Sequence, residues 1–227
     1  MNGTFEPAGY GAGYVTRLDK VEQVVLLDLV DDVIELLGGS AVVDADPAGE
    51  RNPLDDVRLG APRVTPPHDP AVRRLLPDAS REDPEVAAEF RRLTETDLRT
   101  TKVGNLLRLR AAVDAARPDL LVVPSEAAQV AAALNDLRLV LSERLGVRSD
   151  ADADALYRLA TQEQPETAGD PDEDRQGASP PAEALPGTVT DPDARRFLAT
   201  VYVVLSILQE SLIELMLDEL PDAPPDA

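Results

Sequence analysis

The sequence has no cysteine and no tryptophan, and it has one histidine. Without cysteine there can be no disulfide, no thiolate metal ligand, no thiol nucleophile and no cysteine redox switch. Aromatic residues make up 3% of the chain against 43% hydrophobic residues overall, so a core has to be built from Leu, Val and Ala packed between helices. Bases are scarce as well: 22 Lys and Arg face 43 Asp and Glu, a formal charge of −21. Such a charge favours solubility and repels phosphate backbones, so the isolated chain is expected to bind nucleic acid weakly or not at all. The first fifteen residues lack a basic region followed by an apolar run, so no secretory signal is read there. The longest apolar run, Phe197 to Leu208, falls short of the roughly 18–20 residues of a membrane span and is followed by Gln209, Glu210 and Glu214. The expectation is a cytoplasmic protein with no membrane segment.

What is present is helical periodicity. In SEAAQVAAALNDLRLVLSERLG, from Ser125 to Gly146, the residues Val130, Leu134, Leu137, Leu141 and Leu145 fall on one stripe, with Leu139 nearly opposite. This pattern predicts a helix buried on more than one side, with Ser125 as its N-cap, Pro124 closing the preceding segment and Gly146 at its C-terminal end. Before it, residues 1–18 predict a weak hairpin around Phe5, Tyr14, Val15 and Leu18, with disorder as the alternative. Asp19 and Glu22 form a capping box for a first helix with an apolar arc of Val25, Leu26, Leu29, Val33, Leu36 and Leu37. Its acids Asp28, Asp31, Asp32 and Glu35 are expected to face water, and Gly38 and Gly39 to stop it. Residues 40–69 read as a loop with at most one helical turn near Leu54.

Asp69 with Pro70 predicts a short helix that Pro77 ends, and Asp83 with Pro84 begins the longest one, which runs toward Pro118 past a weak point at Gly104 and Asn105. Residues 119–123, DLLVV, suit an extended segment that could pair with residues 14–18. Asp152 to Leu159 predicts another short helix. Asp191 with Pro192 opens the last, whose Val201, Leu205, Leu208, Leu212 and Leu215 make a 4-3-4-3 seam. The fold expected is mainly α: a bundle of three long helices plus short ones, with a small β-hairpin or sheet at one end. Residues 1–160 and 191–220 form one helical domain in this reading. The stretch 161–190 is an acidic, proline-rich linker expected to be disordered and dispensable for folding, and 221–227 a disordered tail.

Groups able to carry chemistry are few. His68 lies beside prolines with no Ser, Asp or second His arranged for catalysis. The glycines of GYGAG at 9–13 lack the dinucleotide-binding spacing and read as turn residues. The acid pairs Asp31 with Asp32 and Asp55 with Asp56, and the set Asp150, Asp152 and Asp154, lack the calcium-loop spacing. No catalytic residue, cofactor site or metal site is assigned. Two constellations remain. Asn135, Asp136 and Arg138 are placed to meet Gln209 or Glu210 on the last helix, as a register-setting network or as a partner or ligand site. Arg92, Arg99, Arg110 and Arg117 share a face of the longest helix, either paired with acids such as Glu95 and Asp114 or forming a dock for an acidic protein. An acid/base enzyme, the third class considered, would need a pocket bringing Asp136 and Glu210 together with a raised pKa.

The segments LLPDASREDPEVAAEFRRLTETDLRTTKVGNLLRL at 75–109, ALNDLRLVLSERLGV at 133–147 and VYVVLSILQESLIELML at 201–217 resemble, in that order, an actinobacterial family. It was long listed as a domain of unknown function, and its members are named AosR, oxidative-stress transcriptional regulators. The resemblance rests mostly on packing and capping residues. It implies a non-enzymatic regulator that touches the transcription machinery through a protein partner such as a sigma factor or RNA polymerase. The alternative it implies is an accessory of Clp-type regulated proteolysis, because genes of this family often neighbour the Clp adaptor. A homo-oligomer is left open. Only Met1 and Met216 carry sulfur, so an oxidative signal would have to arrive through the partner.

Overall fold

Aspartate followed by proline opens three helices of the computed structural model, which describes residues 3–39, 65–80, 82–161 and 187–219. The elements in order are β1 (Glu6–Ala8), a 3-10 turn (Gly9–Gly11), β2 (Gly13–Arg17), α1 (Lys20–Leu36), α2 (Pro70–Leu75), α3 (Pro84–Ala115), β3 (Asp119–Val122), α4 (Pro124–Leu145), α5 (Asp150–Thr161) and α6 (Pro192–Asp218). Asp69, Asp83 and Asp191 each accept a hydrogen bond from a backbone N–H in the first turn of α2, α3 and α6. Proline at the first helical position removes an N–H that would have no partner there anyway. Asp19 and Glu22 form the expected capping box of α1, and Gly146, at φ 73°, closes α4 in the left-handed conformation.

Ser125 is not the cap of α4. The helix begins one residue earlier at Pro124, and Val123 stands at the N-cap without a side-chain hydrogen bond. The reason is the one that governs the other three starts: the fixed φ of proline suits the first helical turn, so Pro124 belongs to the helix and Ser125 lies inside it. α3 runs unbroken through Gly104 and Asn105.

Within the core, α4 is the central element. Val130, Leu134, Leu137, Leu141 and Leu145 are buried, Leu139 packs half-buried on another side, and α4 touches α6, α3 and α2. α1 packs chiefly on α3, and α5 on α6. In α1, Val30 is wholly buried beside Leu26, Val33 and Leu37, whereas Leu29 and Leu36 are half-buried at the edge of the arc. Asp28, Asp31, Asp32 and Glu35 face water as expected. Met216 lies half-buried against the core.

The three strands form one antiparallel sheet in the order β1-β2-β3, with Glu6 opposite Val15 and Tyr14 opposite Val122. Alternation of buried and exposed residues in β3 turns Leu120 and Val122 inward. Phe5 N–H donates to Ser211 Oγ at 2.9 Å, and the Tyr14 hydroxyl donates to Glu219 Oε2 at 2.6 Å, which ties the sheet to the end of α6. That hydrogen bond, with burial behind it, pushes the Tyr14 phenol up to about 12. Residues 40–64, 162–186 and 220–227 lie outside the described residues. They hold the expected turn near Leu54, most of the expected linker and the tail.

Candidate functional site

Residues two apart on a helix point about 200° away from each other, and this separates the polar group of α4. Asp136, 3% exposed, accepts a hydrogen bond from Lys102 Nζ of α3 at 2.6 Å. Burial pushes its carboxyl up from the ordinary value, while Lys102 opposes the shift. Arg138 turns to α6, where it donates to Gln209 Oε1 and lies over the Tyr202 ring at 5.4 Å from its centre. The expected single network is therefore corrected. Arg138 and Gln209 do meet; Asp136 is bound to α3, Asn135 is half-buried, and Glu210 is exposed. The pairing of Asp136 with Glu210 that acid/base chemistry would need is not formed. Each half joins α4 to a different neighbour.

The arginine face of α3 is also engaged within the fold. Arg92 pairs with Glu89, and Arg99 with Glu95 and the carbonyl of Leu37. Arg110 grips Asp31 of α1 at 2.6 Å, and Arg117 donates to the carbonyls of Asp114 and Ala116. The contacts of Arg99 and Arg110 fasten α1 to α3, and the pairing of Arg92, Arg99 and Arg110 with acids follows the first of the two expected readings of this face. His68 is exposed.

Sequence reasoning missed a second cluster. Glu143 of α4, 8% exposed, accepts from Arg148 Nη1 at 2.6 Å and from Arg74 Nη1 of α2 at 3.2 Å, and Arg144 donates to Asp69 at 2.6 Å. Arg148 above all, with Arg74, holds the Glu143 carboxyl below its ordinary 4.5 against the opposing effect of burial. A carboxylate depressed in the folded state stabilises above the unfolded value, and that stability is lost as pH falls through the folded value. Glu143→Gln should therefore cost about 1 kcal/mol at neutral pH, because Arg148 is partly solvent-screened. The deficit should shrink below about pH 4. Urea denaturation across that range checks it, and a deficit independent of pH would mean that the ion pairs contribute nothing.

The most apolar open feature lies elsewhere. Leu18 and the first turns of α1 face the first half of α6 across an apolar cleft of about 220 Å³. Leu26, Leu205 and Leu208 are buried there, as their places in the arc and the seam imply, whereas Val25 and Val201 are half-buried walls. Val21, 69% exposed, and Phe197, 51% exposed, lie on the lining although neither belongs to an expected apolar face. A continuation of about 180 Å³ runs along Leu29 and Leu198, edged by Asp28 and Asp32. The signal in the sequence was the width of the apolar arcs. It did not tell which edge of each arc the fold would leave open. Among the described residues α6 is also the one helix long and apolar enough to cross a membrane, with mean hydropathy 1.6 over a stretch 22% buried. The uninterrupted apolar run within it, Phe197 to Leu208, is shorter than a span, and Gln209, Glu210 and Glu214 follow it. In the fold α6 packs on α4 and α5 and gives Ala199, Leu205, Leu208 and Leu212 to the core.

Comparison with curated proteins and with solved structures finds no match. The sequence model of one protein family, described as a domain of unknown function, matches residues 2–216, nearly the whole chain and every element described above but for the last two residues of α6. The chain belongs to that family, DUF2017.

Proposed function

We propose that this chain is a non-enzymatic, cytoplasmic regulatory protein that acts by protein contact with the transcription machinery, through a sigma factor or RNA polymerase. The observation that carries the contact mechanism is the apolar cleft between α1 and α6. An open apolar surface rimmed by polar residues is characteristic of a protein–protein interaction site. Transcription as the setting is supported by the resemblance of residues 75–109, 133–147 and 201–217 to the oxidative-stress regulators. The charge of −21 favours a partner-mediated role over direct reading of DNA.

Affinity purification of the tagged full chain from its native cell tests this. RNA polymerase or sigma subunits should be recovered, and recovery should be unaffected by nuclease treatment. Recovery of Clp components in their place would overturn the transcriptional setting in favour of regulated proteolysis. Tight, sequence-selective binding of duplex DNA by the purified chain would overturn the partner-mediated mechanism.

A further inference from the structure

The cleft has a floor of Leu26, Leu205 and Leu208 and walls that include Val21, Val25 and Phe197. Along α6, Phe197 to Leu208 spans about 16 Å at 1.5 Å per residue, three helical turns. That length takes the apolar side chains at i, i+3 or i+4, and i+7 of one bound helix. Charge narrows the choice of occupant. Asp19 and Glu22 edge the main cleft and Asp28 and Asp32 its continuation, and among the described residues no Lys or Arg lines either part. Arg195 and Arg196, next to Phe197 in the chain, donate to the carbonyls of Leu145 and Leu159.

Resting on the reading of this chain as a protein-contact regulator, we infer that the cleft is the docking site for an amphipathic helix of a partner protein, apolar along one stripe and rich in Lys and Arg beside it. The apolar stripe replaces solvent over the leucine floor, and the flanking cations meet the acidic rim. A second copy of the chain fits poorly. A two-fold contact through this cleft would set the same four carboxylates against one another, in a chain already at −21. An anionic lipid surface meets the same repulsion.

The experiment uses the full chain and a fluorescein-labelled Leu/Lys peptide of about five helical turns with its leucines on one face, followed by fluorescence anisotropy. Saturable binding is expected, weakened about tenfold or more by Val21→Gln and by Phe197→Gln. Both replacements are neutral, so the rim charge is unchanged, and both sites are more than half exposed, so thermal melting should stay at the wild-type value. Equal binding of a scrambled Leu/Lys peptide would reduce the effect to general charge attraction and overturn the site. Equal binding of a Leu/Glu peptide would overturn the charge selection, and indifference to both substitutions would place binding elsewhere. Sedimentation showing a wild-type dimer that Phe197→Gln dissociates would give the cleft to a second copy. Loss of vesicle co-sedimentation in the same variants would give it to lipid. If the peptide result holds while purification recovers no transcription machinery, the partner's identity is wrong and the cleft stands; the reverse pattern leaves the regulator and removes the cleft.

Discussion

Replacing Gly13 by alanine should cost the fold about 3 kcal/mol or more and lower its melting temperature by about 6–12 °C. Gly13 has φ +118°, a conformation that residues with a Cβ rarely adopt. An added methyl would also stand 2.2 Å from the carbonyl oxygen of Val122 and 3.0 Å from the Cα of Val123. Both are backbone atoms of the neighbouring strand and its exit, so no side-chain rotation relieves the clash. Relief would require β2 and β3 to separate at the point where Tyr14 faces Val122, just before the chain enters α4 at Pro124. Two neighbours supply the scale. Gly9 has open space and no positive φ, so Gly9→Ala should be nearly neutral. Gly11 has open space at φ +70°, so Gly11→Ala should cost about 1 kcal/mol from backbone strain alone. Thermal and urea unfolding should rank the losses Gly13→Ala first, Gly11→Ala second and Gly9→Ala last. A Gly13→Ala chain that melts with the wild type would show that the contact between β2 and β3 is dispensable for stability.

The residues that were legible in advance are those whose meaning is local. The Asp-Pro starts at 69, 83 and 191 and the Asp19–Glu22 box are hydrogen-bonding patterns within four residues, and each appears as a cap in the fold. The departure at Ser125 is also local: Pro124 opens its helix as Pro70, Pro84 and Pro192 open theirs, which moves the cap back to Val123. Pairing of residues 14–18 with 119–122 could be read because extended apolar runs need a partner and few were on offer. Contacts between helices were legible only at Arg138 and Gln209. Arg99 finds Glu95 at the i−4 position, but Arg110 finds Asp31 from 79 residues away and Lys102 finds Asp136 from 34. Periodicity gives the face of a helix and not the neighbour that face will meet. The cleft was hidden for the same reason, since Val21 and Phe197 acquire meaning only once α1 has been carried onto α3 and α6 onto α4 and α5.

Lys102→Met should cost about 3 kcal/mol at neutral pH, more than Asp136→Asn, although both remove the same ion pair. The asymmetry comes from burial. The Asp136 side chain is 4% exposed and that of Lys102 21%, so the ammonium can turn toward solvent when it loses its partner and the carboxylate cannot. Asp136→Asn should therefore cost about 1 kcal/mol. Both deficits shrink on acidification, and the higher pH at which this one begins to do so separates the pair from Glu143. Burial raises the folded-state pKa of Asp136 above its ordinary 3.8, with Lys102 pulling it back, so removal of Lys102 raises it further. A carboxyl raised in the folded state binds its proton more tightly folded than unfolded, and stability is regained as pH falls through the folded value. The Lys102→Met deficit should accordingly be largest at neutral pH and diminish on acidification. The double variant Lys102→Met with Asp136→Leu should recover most of the loss, because apolar side chains then fill the space that the pair occupied. Chemical denaturation of the single and double variants from neutral to mildly acidic pH measures all three effects. A deficit that stays constant with pH, or that the second substitution deepens, would mean that Asp136 keeps access to water and that α3 and α4 are held in register by their leucines and valines alone.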